Sequence, residues 1–315
     1  MSRVLNGDPA QSVRPEIYEQ ILITARQQGY RPNALARALK RQRTGAFAFV
    51  IPLLRNPIWS TLQRGALQRA AERGYVIMLM EEPMDDPKSP GSYRYLVDES
   101  RADGLLIATS LRIAEHSAGV PAIPHVYVNR RGPDHGNDVV MDEPGAIRLF
   151  LDYVTGLGHR RVALIDGPSE VDTVHRRVSA ARRMCAARGI QLTVRHDAPT
   201  EEGGWRAVTR LPGGPAMPTA CGVGSLNQVF GVLAALRRSG IGVPAQMSVV
   251  SFDEDECLAF LEVPVTAVAM PLAELGSAAV DALIARIERE PVSNVMIRQP
   301  MSLILRGSVT SPAPG

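Results

Sequence analysis

Residues 46–54 read AFAFVIPLL, a continuous apolar run of strand length. A strand that is apolar on both faces is typical of a parallel sheet covered by helices on both sides. An amphipathic helical stretch follows at Thr61–Arg73 and ends at Gly74, and the next apolar run is Val76–Met80. The order strand, helix, strand predicts that the body of the chain opens with a parallel α/β unit.

The same alternation continues along the chain. The further strand candidates are Gly104–Ala108, His125–Val128, Arg161–Ile165, Thr219–Gly224 and Met247–Phe252. The helical stretches between them are Ala146–Gly156, Val174–Arg188, Gln228–Ser239 and Leu272–Arg289. This span exceeds one sheet, so it predicts an α/β protein of two doubly wound parallel-sheet lobes with a cleft between them. Ligands of such sheets bind at the carboxyl ends of the strands.

Composition excludes several classes of protein. The chain has 315 residues, of which 45% are hydrophobic and 21% charged, as in soluble globular proteins. No apolar run reaches the roughly 18 residues that a membrane span needs, and no apolar signal segment opens the chain. Cys185, Cys221 and Cys257 are too few and too scattered for a disulfide framework or a zinc site. A cytoplasmic protein is therefore expected.

Positive charge is concentrated in the first 44 residues. That segment holds eight Lys and Arg against three Asp and Glu, a net charge of +5. The remaining 271 residues hold 27 basic and 29 acidic groups, a net charge of -2. A basic arm on a near-neutral body indicates a polyanionic partner. Charge alone equally allows a basic solvated face with no partner.

Two helices are predicted in this basic segment. The first has Ser12 as its cap and Pro15 in its first turn, and it ends before Gly29. The second is short and covers Asn33–Lys40, with Asn33 as a possible cap. Residues 42–45 resemble a linker to the body.

Short motifs spread along the chain occur together, in the same order, in one known family. In the basic segment they are SRVLN at 2–6, GYRPN at 29–33 and ALARAL at 34–39. In the body they are NP at 56–57, ADG at 102–104, LGHRRV at 157–162 and SVVSFD at 248–253. The ordered set covers nearly the whole chain and resembles the LacI/GalR family of transcriptional regulators.

The resemblance implies three segments. They are a partial helix-turn-helix DNA-binding segment at 1–32, a hinge helix and linker at 33–44, and an effector-binding and dimerisation domain at 45–310. The last is expected to be of the periplasmic-binding-protein type I kind. Its N-lobe is expected at about 45–158 plus 270–299, and its C-lobe at about 159–269 plus 300–310.

One departure concerns the start of the chain. Met1 falls inside the family's recognition helix, so the first helix and most of the recognition helix are expected to be missing. A helix-turn-helix reads bases with the first residues of its second helix. Either the chain begins too late, which we favour, or it is a regulator that no longer reads a major groove.

The resemblance also places residues at operator DNA. The expected contacts are Ser2, Arg3, Asn6, Tyr30, Asn33, Ala36, Arg37, Leu39, Lys40 and Arg41. Leu39 is the position that wedges between base steps in the minor groove, and the basic side chains, with Arg43, face phosphates. The alternative is that Leu35 and Leu39 pack on the body as an i, i+4 pair.

The cleft is expected to bind a carbohydrate-like effector. The resemblance, with the nearby Arg55, Trp59 and Arg130, gives the candidates Arg55, Ile58, Trp59, Arg130, Asp142, Arg177, Trp205, Ser225 and Asp253. An arginine fork and carboxylates suit sugar hydroxyls, and a flat aromatic face suits the ring. Five of them have a plainer alternative: a surface arginine for Arg177, helix or turn caps for Asp142 and Asp253, and packing for Trp59 and Trp205.

The second departure lies at Ser225-Leu226, where the family usually has an Asn-Asp pair. Ser225 keeps one hydroxyl and Leu226 keeps nothing polar, which puts an ordinary pentose or hexose in doubt. Arg55 and Arg130 favour an anionic effector such as a sugar acid if they face the cleft.

Two rival functions can be weighed on the sequence. We find no G-x-S-x-G elbow, no phosphate-binding P-loop, no G-x-G-x-x-G after a strand and no metal spacing among the histidines, so no enzyme or cofactor is expected. A periplasmic-type sugar-binding protein without DNA binding shares the fold. The Arg-rich start and the lack of a signal segment favour a DNA-binding repressor with no membrane partner. A homodimer is expected because palindromic operators need two-fold symmetric readers.

Overall fold

A computed structural model describes residues 14–28, 43–52, 56–81, 101–108, 123–132 and 137–313. The ten residues predicted at operator DNA, and Arg55, lie outside these ranges. In the segment for which the sequence predicts the first helix, helix α1 spans Pro15–Gln27. Among the described residues, no helix is both long and apolar enough to cross a membrane.

The first lobe is built on a six-stranded parallel sheet. Its strands are β1 (Ala46–Ile51), β2 (Val76–Glu81), β3 (Leu105–Ile107), β4 (His125–Val128), β5 (Asp138–Met141) and β11 (Val295–Ile297). In space they follow the order β11-β5-β4-β3-β1-β2. Helices α2 (Ile58–Glu72) and α7 (Leu272–Ile287) pack on this sheet through side chains such as Leu62 and Leu283. Gly65 and Gly276 let the two helices touch, since a Cβ at either would overlap the other helix's backbone.

The second lobe has a six-stranded sheet covered on both faces. Its strands are β6 (Arg161–Asp166), β7 (Gln191–His196), β8 (Ala220–Val223), β9 (Ser248–Ser251), β10 (Thr266–Ala269) and β12 (Ser302–Ile304). Their order is β12-β10-β9-β8-β6-β7, and only β12 runs antiparallel to its neighbour. Helices α3 (Glu143–Gly156) and α4 (Asp172–Ala187) cover one face, and α5 (Glu201–Thr209) and α6 (Leu226–Arg238) cover the other. The predicted two-lobed α/β fold is confirmed.

The chain passes between the lobes three times, after β5, after β10 and after β11. The first passage lies earlier than the boundary at 158 that the sequence predicts. Helix α3 packs on the second sheet, where the ring of Phe150 lies 5.5 Å from that of Phe252. Residues 143–158 therefore belong to the second lobe. The sequence did not predict this because an apolar helix face does not reveal which of two sheets it covers.

Candidate functional site

A cavity of about 150 Å³ lies between the two lobes, and we call it the interlobe cavity. From the first lobe, its wall includes Ala108 after β3 and Asn129 after β4. From the second lobe, it includes Asp166 at the end of β6, Gly224 after β8 and Asp253 after β9. The cavity thus lies at the carboxyl ends of the parallel strands, where such sheets bind ligands.

Arg177 belongs to the second-lobe wall of the cavity. It comes from α4 and is only 6% exposed. Its Nε donates to Oε2 of Glu143 at 2.9 Å, and its Nη1 donates to the Asp166 carboxylate at 3.2 Å and to the Gly224 carbonyl at 3.1 Å. These bonds, made by Nε and Nη1, fix the guanidinium plane. Arg177 also lines the cavity, where its Nη2 can donate to a ligand oxygen.

The carboxylates beside Arg177 keep it charged. Burial alone lowers the pKa of Arg177, but the negative charges of Asp166 and Glu143 raise it further than burial lowers it, so the net shift is upward. Burial raises the pKa of Asp166, and the Arg177 charge opposes that shift. The result is a fixed cation in a water-poor site.

Asp253 is the cavity carboxylate whose protonation changes near neutral pH. Its Oδ2 accepts a hydrogen bond from the Leu226 N–H at 3.0 Å. Burial raises the pKa of Asp253 to about 7, while Arg177 and the Leu226 N–H act in the opposite direction. At neutral pH this side chain can therefore either donate to or accept from a ligand hydroxyl.

The first lobe contributes a more apolar wall. Ile58 and Trp59, at the start of α2, are half-buried and line the cavity. Asn129 has a positive φ of 54° at the end of β4, and among the described residues its Oδ1 has no hydrogen-bond partner. Arg130 also lines the cavity, with its guanidinium 5.5 Å from the Tyr127 ring centroid. The cavity therefore places an aromatic surface opposite a charged one.

Six of the residues predicted at the effector line this cavity: Ile58, Trp59, Arg130, Arg177, Ser225 and Asp253. Arg177 is buried, so the alternative of a surface arginine is wrong. The Ser225 Oγ is buried and lacks a partner within the described chain. It is a hydroxyl available to a ligand.

Asp142 and Trp205 are not brought to the cavity. Asp142 caps α3, where its Oδ1 accepts from the Gly145 N–H at 3.0 Å. A carboxylate at a helix start satisfies an N–H that would otherwise lack a partner. The structure thus shows the helix cap that the sequence offered as the alternative for Asp142. Trp205 packs against the second lobe's core, with the Arg238 guanidinium 5.9 Å from its ring centroid.

Four further residues build the site and were not predicted from the sequence. Asp166 and Asn129 directly follow or end predicted strands, and the rule that ligands bind at carboxyl ends of strands could have found them. Glu143 lies at a helix start and gave no signal, because only tertiary packing turns it toward Arg177. Asp172 and Arg176 form an i, i+4 pair on one helix, and that spacing could have indicated their ion pair.

Comparisons with known proteins agree with this architecture. The family model for the periplasmic binding protein-like domain matches residues 151–309. The chain is 28% identical to the ribose operon repressor of Escherichia coli K12 over 316 aligned positions, which cover 98% of this chain and 94% of that protein. It is 28% identical to the HTH-type transcriptional repressor CytR of the same strain over 293 positions, which cover 90% of this chain and 85% of CytR.

A solved structure shares the fold over almost the same span. The lac repressor dimer bound to operator and the anti-inducer ONPF matches with a TM-score of 0.83 and 21% identity. The match covers 98% of this chain and 94% of that one.

Proposed function

Because the chain belongs to the LacI/GalR family of transcriptional regulators, we propose that it is a DNA-binding repressor controlled by a small carbohydrate-like effector in the interlobe cavity. One observation carries the effector site. The buried group of Arg177, Asp166 and Asp253 lies across the cavity from Trp59. Oriented donors and acceptors opposite an aromatic face are what a hydroxylated ring needs.

The charge balance around the cavity supports a neutral sugar over a sugar acid. Three cations and four carboxyl groups line the cavity or contact its wall: Arg130, Arg176, Arg177, Glu143, Asp166, Asp172 and Asp253. Asp253 is only partly ionised at neutral pH. The site is therefore close to neutral, and an added carboxylate would lack a counter-charge. From the sequence, a sugar acid is favoured if Arg55 and Arg130 face the cleft, and Arg55 lies outside the described residues.

Control of DNA binding follows from the two-lobed build. The effector contacts both lobes, so it binds best when they close, and closure alters how the N-terminal segments of two protomers are spaced on a symmetric operator. The family relatives reported above are repressors and not enzymes. In this proposal the cavity binds its effector without converting it, and the protein acts in the cytoplasm.

The first experiment asks what the cavity binds. Tryptophan fluorescence is titrated with D-ribose, other neutral aldoses and the matching aldonic acids, for the wild type, Arg177→Met and Arg183→Met. Arg183 is an exposed arginine on the same helix and provides the matched control. We expect a neutral sugar to bind the wild type and Arg183→Met, and to bind Arg177→Met at least about 30-fold more weakly, since a charged hydrogen-bond donor is lost.

The second experiment tests DNA binding directly. Duplexes are selected from a random pool with the full chain and their affinity is measured by fluorescence anisotropy. Selection of a two-fold symmetric duplex supports the proposal. Tight sugar binding with no duplex selected would instead assign a binding protein without DNA function.

A further inference from the structure

Two consecutive arginines on α4 donate hydrogen bonds to the segment in which the chain first crosses between the lobes. Nη1 of Arg176 donates to the carbonyl oxygen of Met141 at 2.8 Å, and Nε of Arg177 donates to Glu143 at 2.9 Å. Met141 is the last residue of β5 and Glu143 is the first of α3, so the two bonds lie on either side of the interlobe crossing. Helix α4 is thereby tied to both sides of the first crossing between the lobes.

Asp172 adds a contact that spans the cleft. Its Oδ2 accepts from Nε of Arg176 at 2.8 Å, and the same oxygen accepts from the backbone N–H of Arg131 at 3.1 Å. Arg131 follows β4 in the first lobe, whereas Asp172 begins α4 in the second. The Asp172 side chain is only 11% exposed and that of Arg176 only 8%. The bond to the exposed Arg131 is thus a charge-assisted hydrogen bond from one lobe to the other, made by a largely buried carboxylate.

We propose that Asp172 and the Arg131 amide form an interlobe latch that stabilises the closed cavity, and that Arg176 is the positioning residue that aims Asp172 at that amide. An aspartate in the first turn of a helix has other favourable rotamers, including ones that face solvent or cap the helix. Arg176 selects one of them because its other donor is anchored on the Met141 carbonyl.

The latch bears on effector affinity, and in this respect it rests on the proposed function. Asp172 lines the interlobe cavity, but Arg176 does not. A ligand that needs closed lobes binds in proportion to the fraction of protein already closed. Losing Arg176 should therefore weaken binding without removing any ligand contact.

The latch can be tested without any ligand. Hydrogen exchange of the Arg131 amide is followed by NMR on protein labelled with 15N-arginine, with the Arg182 amide reporting that α4 stays folded. Asp172→Ala and Arg176→Met should each raise the Arg131 exchange rate about tenfold or more relative to the wild type. Asp172→Asn keeps an acceptor oxygen and should give an intermediate rate. Arg183→Met should change neither amide.

Two results would overturn the proposal. If the Arg131 rate is unchanged in Asp172→Ala, there is no latch, and if it is unchanged in Arg176→Met, Arg176 does not position Asp172.

A binding measurement then asks whether the latch serves the cavity. Arg176→Met should weaken binding of the tightest sugar from the panel about fivefold, while Arg183→Met leaves it unchanged. Faster Arg131 exchange with unaltered sugar affinity would refute the link to the cavity. If the wild type binds neither sugar nor duplex, the proposed function fails, whereas the exchange result still decides the latch.

Discussion

Replacing Asp253 by Asn should remove a loss of stability that the wild type undergoes as pH rises from 5 to 8. The buried carboxyl has a pKa of about 7, raised from its ordinary value of 3.8 chiefly by burial. Between these two values the folded state holds a proton that the unfolded state has released, so the free energy of unfolding falls as pH rises through that window. Asn keeps an acceptor oxygen for the Leu226 N–H and carries no charge.

The size of the effect follows from the shift. A displacement of about three pKa units corresponds to about 4 kcal/mol, of which about 3 kcal/mol falls between pH 5 and pH 8. This is an upper limit, since relaxation and water penetration raise the effective dielectric around a buried charge. We expect the stability of Asp253→Asn relative to the wild type to improve by 1 to about 3 kcal/mol from pH 5 to pH 8.

The assay is urea unfolding at both pH values, at equal ionic strength, followed by tryptophan fluorescence. Subtracting the wild-type free energy of unfolding from that of the variant at each pH cancels the contributions of other titrating groups. One such group is Asp197. Its burial acts to raise its pKa, but Arg206 and the Ala198 N–H stabilise the charged form, so the pKa of Asp197 is lowered overall. Asp152→Asn, at a side chain that is 56% exposed, is the matched control and should show no such dependence. Parallel pH profiles for the wild type and Asp253→Asn would refute the reasoning.

Three further predictions concern residues other than the buried group of Arg177, Asp166 and Asp253. Asp142→Ala should lower the free energy of unfolding by about 1 kcal/mol through loss of the α3 cap and leave sugar affinity within about twofold, whereas a tenfold loss of affinity would place Asp142 in the site. Trp59→Phe should abolish the fluorescence change on sugar binding and Trp205→Phe should retain it; the reverse pattern would contradict the assignment of the cavity wall. Phe260 is 80% exposed, so we propose that it lies in the interface of the expected homodimer. Phe260→Glu should then raise the dimer dissociation constant at least about tenfold by analytical ultracentrifugation, and an unchanged constant would exclude this surface from the interface.

The alternation of apolar runs was enough to predict the two-lobed fold. Strands such as β1 and β6 are buried along nearly their whole length, and their mostly apolar residues indicate that burial in the sequence. Strands β5, β7 and β10 were missed. Strand β7 is only partly buried and has mixed polarity, whereas β5 and β10 are buried strands of four residues each. The short strands β11 and β12 are likewise only partly buried and carry little signal of their own.

The site was predictable where a residue follows a strand or matches a family motif. Arg177, Asp253 and Ser225 were predicted in this way, and the structure places all three in the cavity wall. Asp142 and Trp205 were misplaced because a carboxylate at a helix start and an amphipathic aromatic each serve local structure equally well. The bond from Arg177 to Glu143 and the bond from the Arg131 amide to Asp172 each join segments that are distant in sequence, so no local pattern could reveal them.

The central claim is that occupancy of the interlobe cavity controls DNA binding. The most direct test is the dissociation constant of the full chain for its selected duplex, measured with and without the tightest-binding neutral sugar, in the wild type and in Arg177→Met. The sugar should change the wild-type constant by a factor of about 5 to 150 and should not change that of Arg177→Met at the same concentration. An equal response in both proteins, or saturation by the sugar with no change in duplex affinity, would contradict the account.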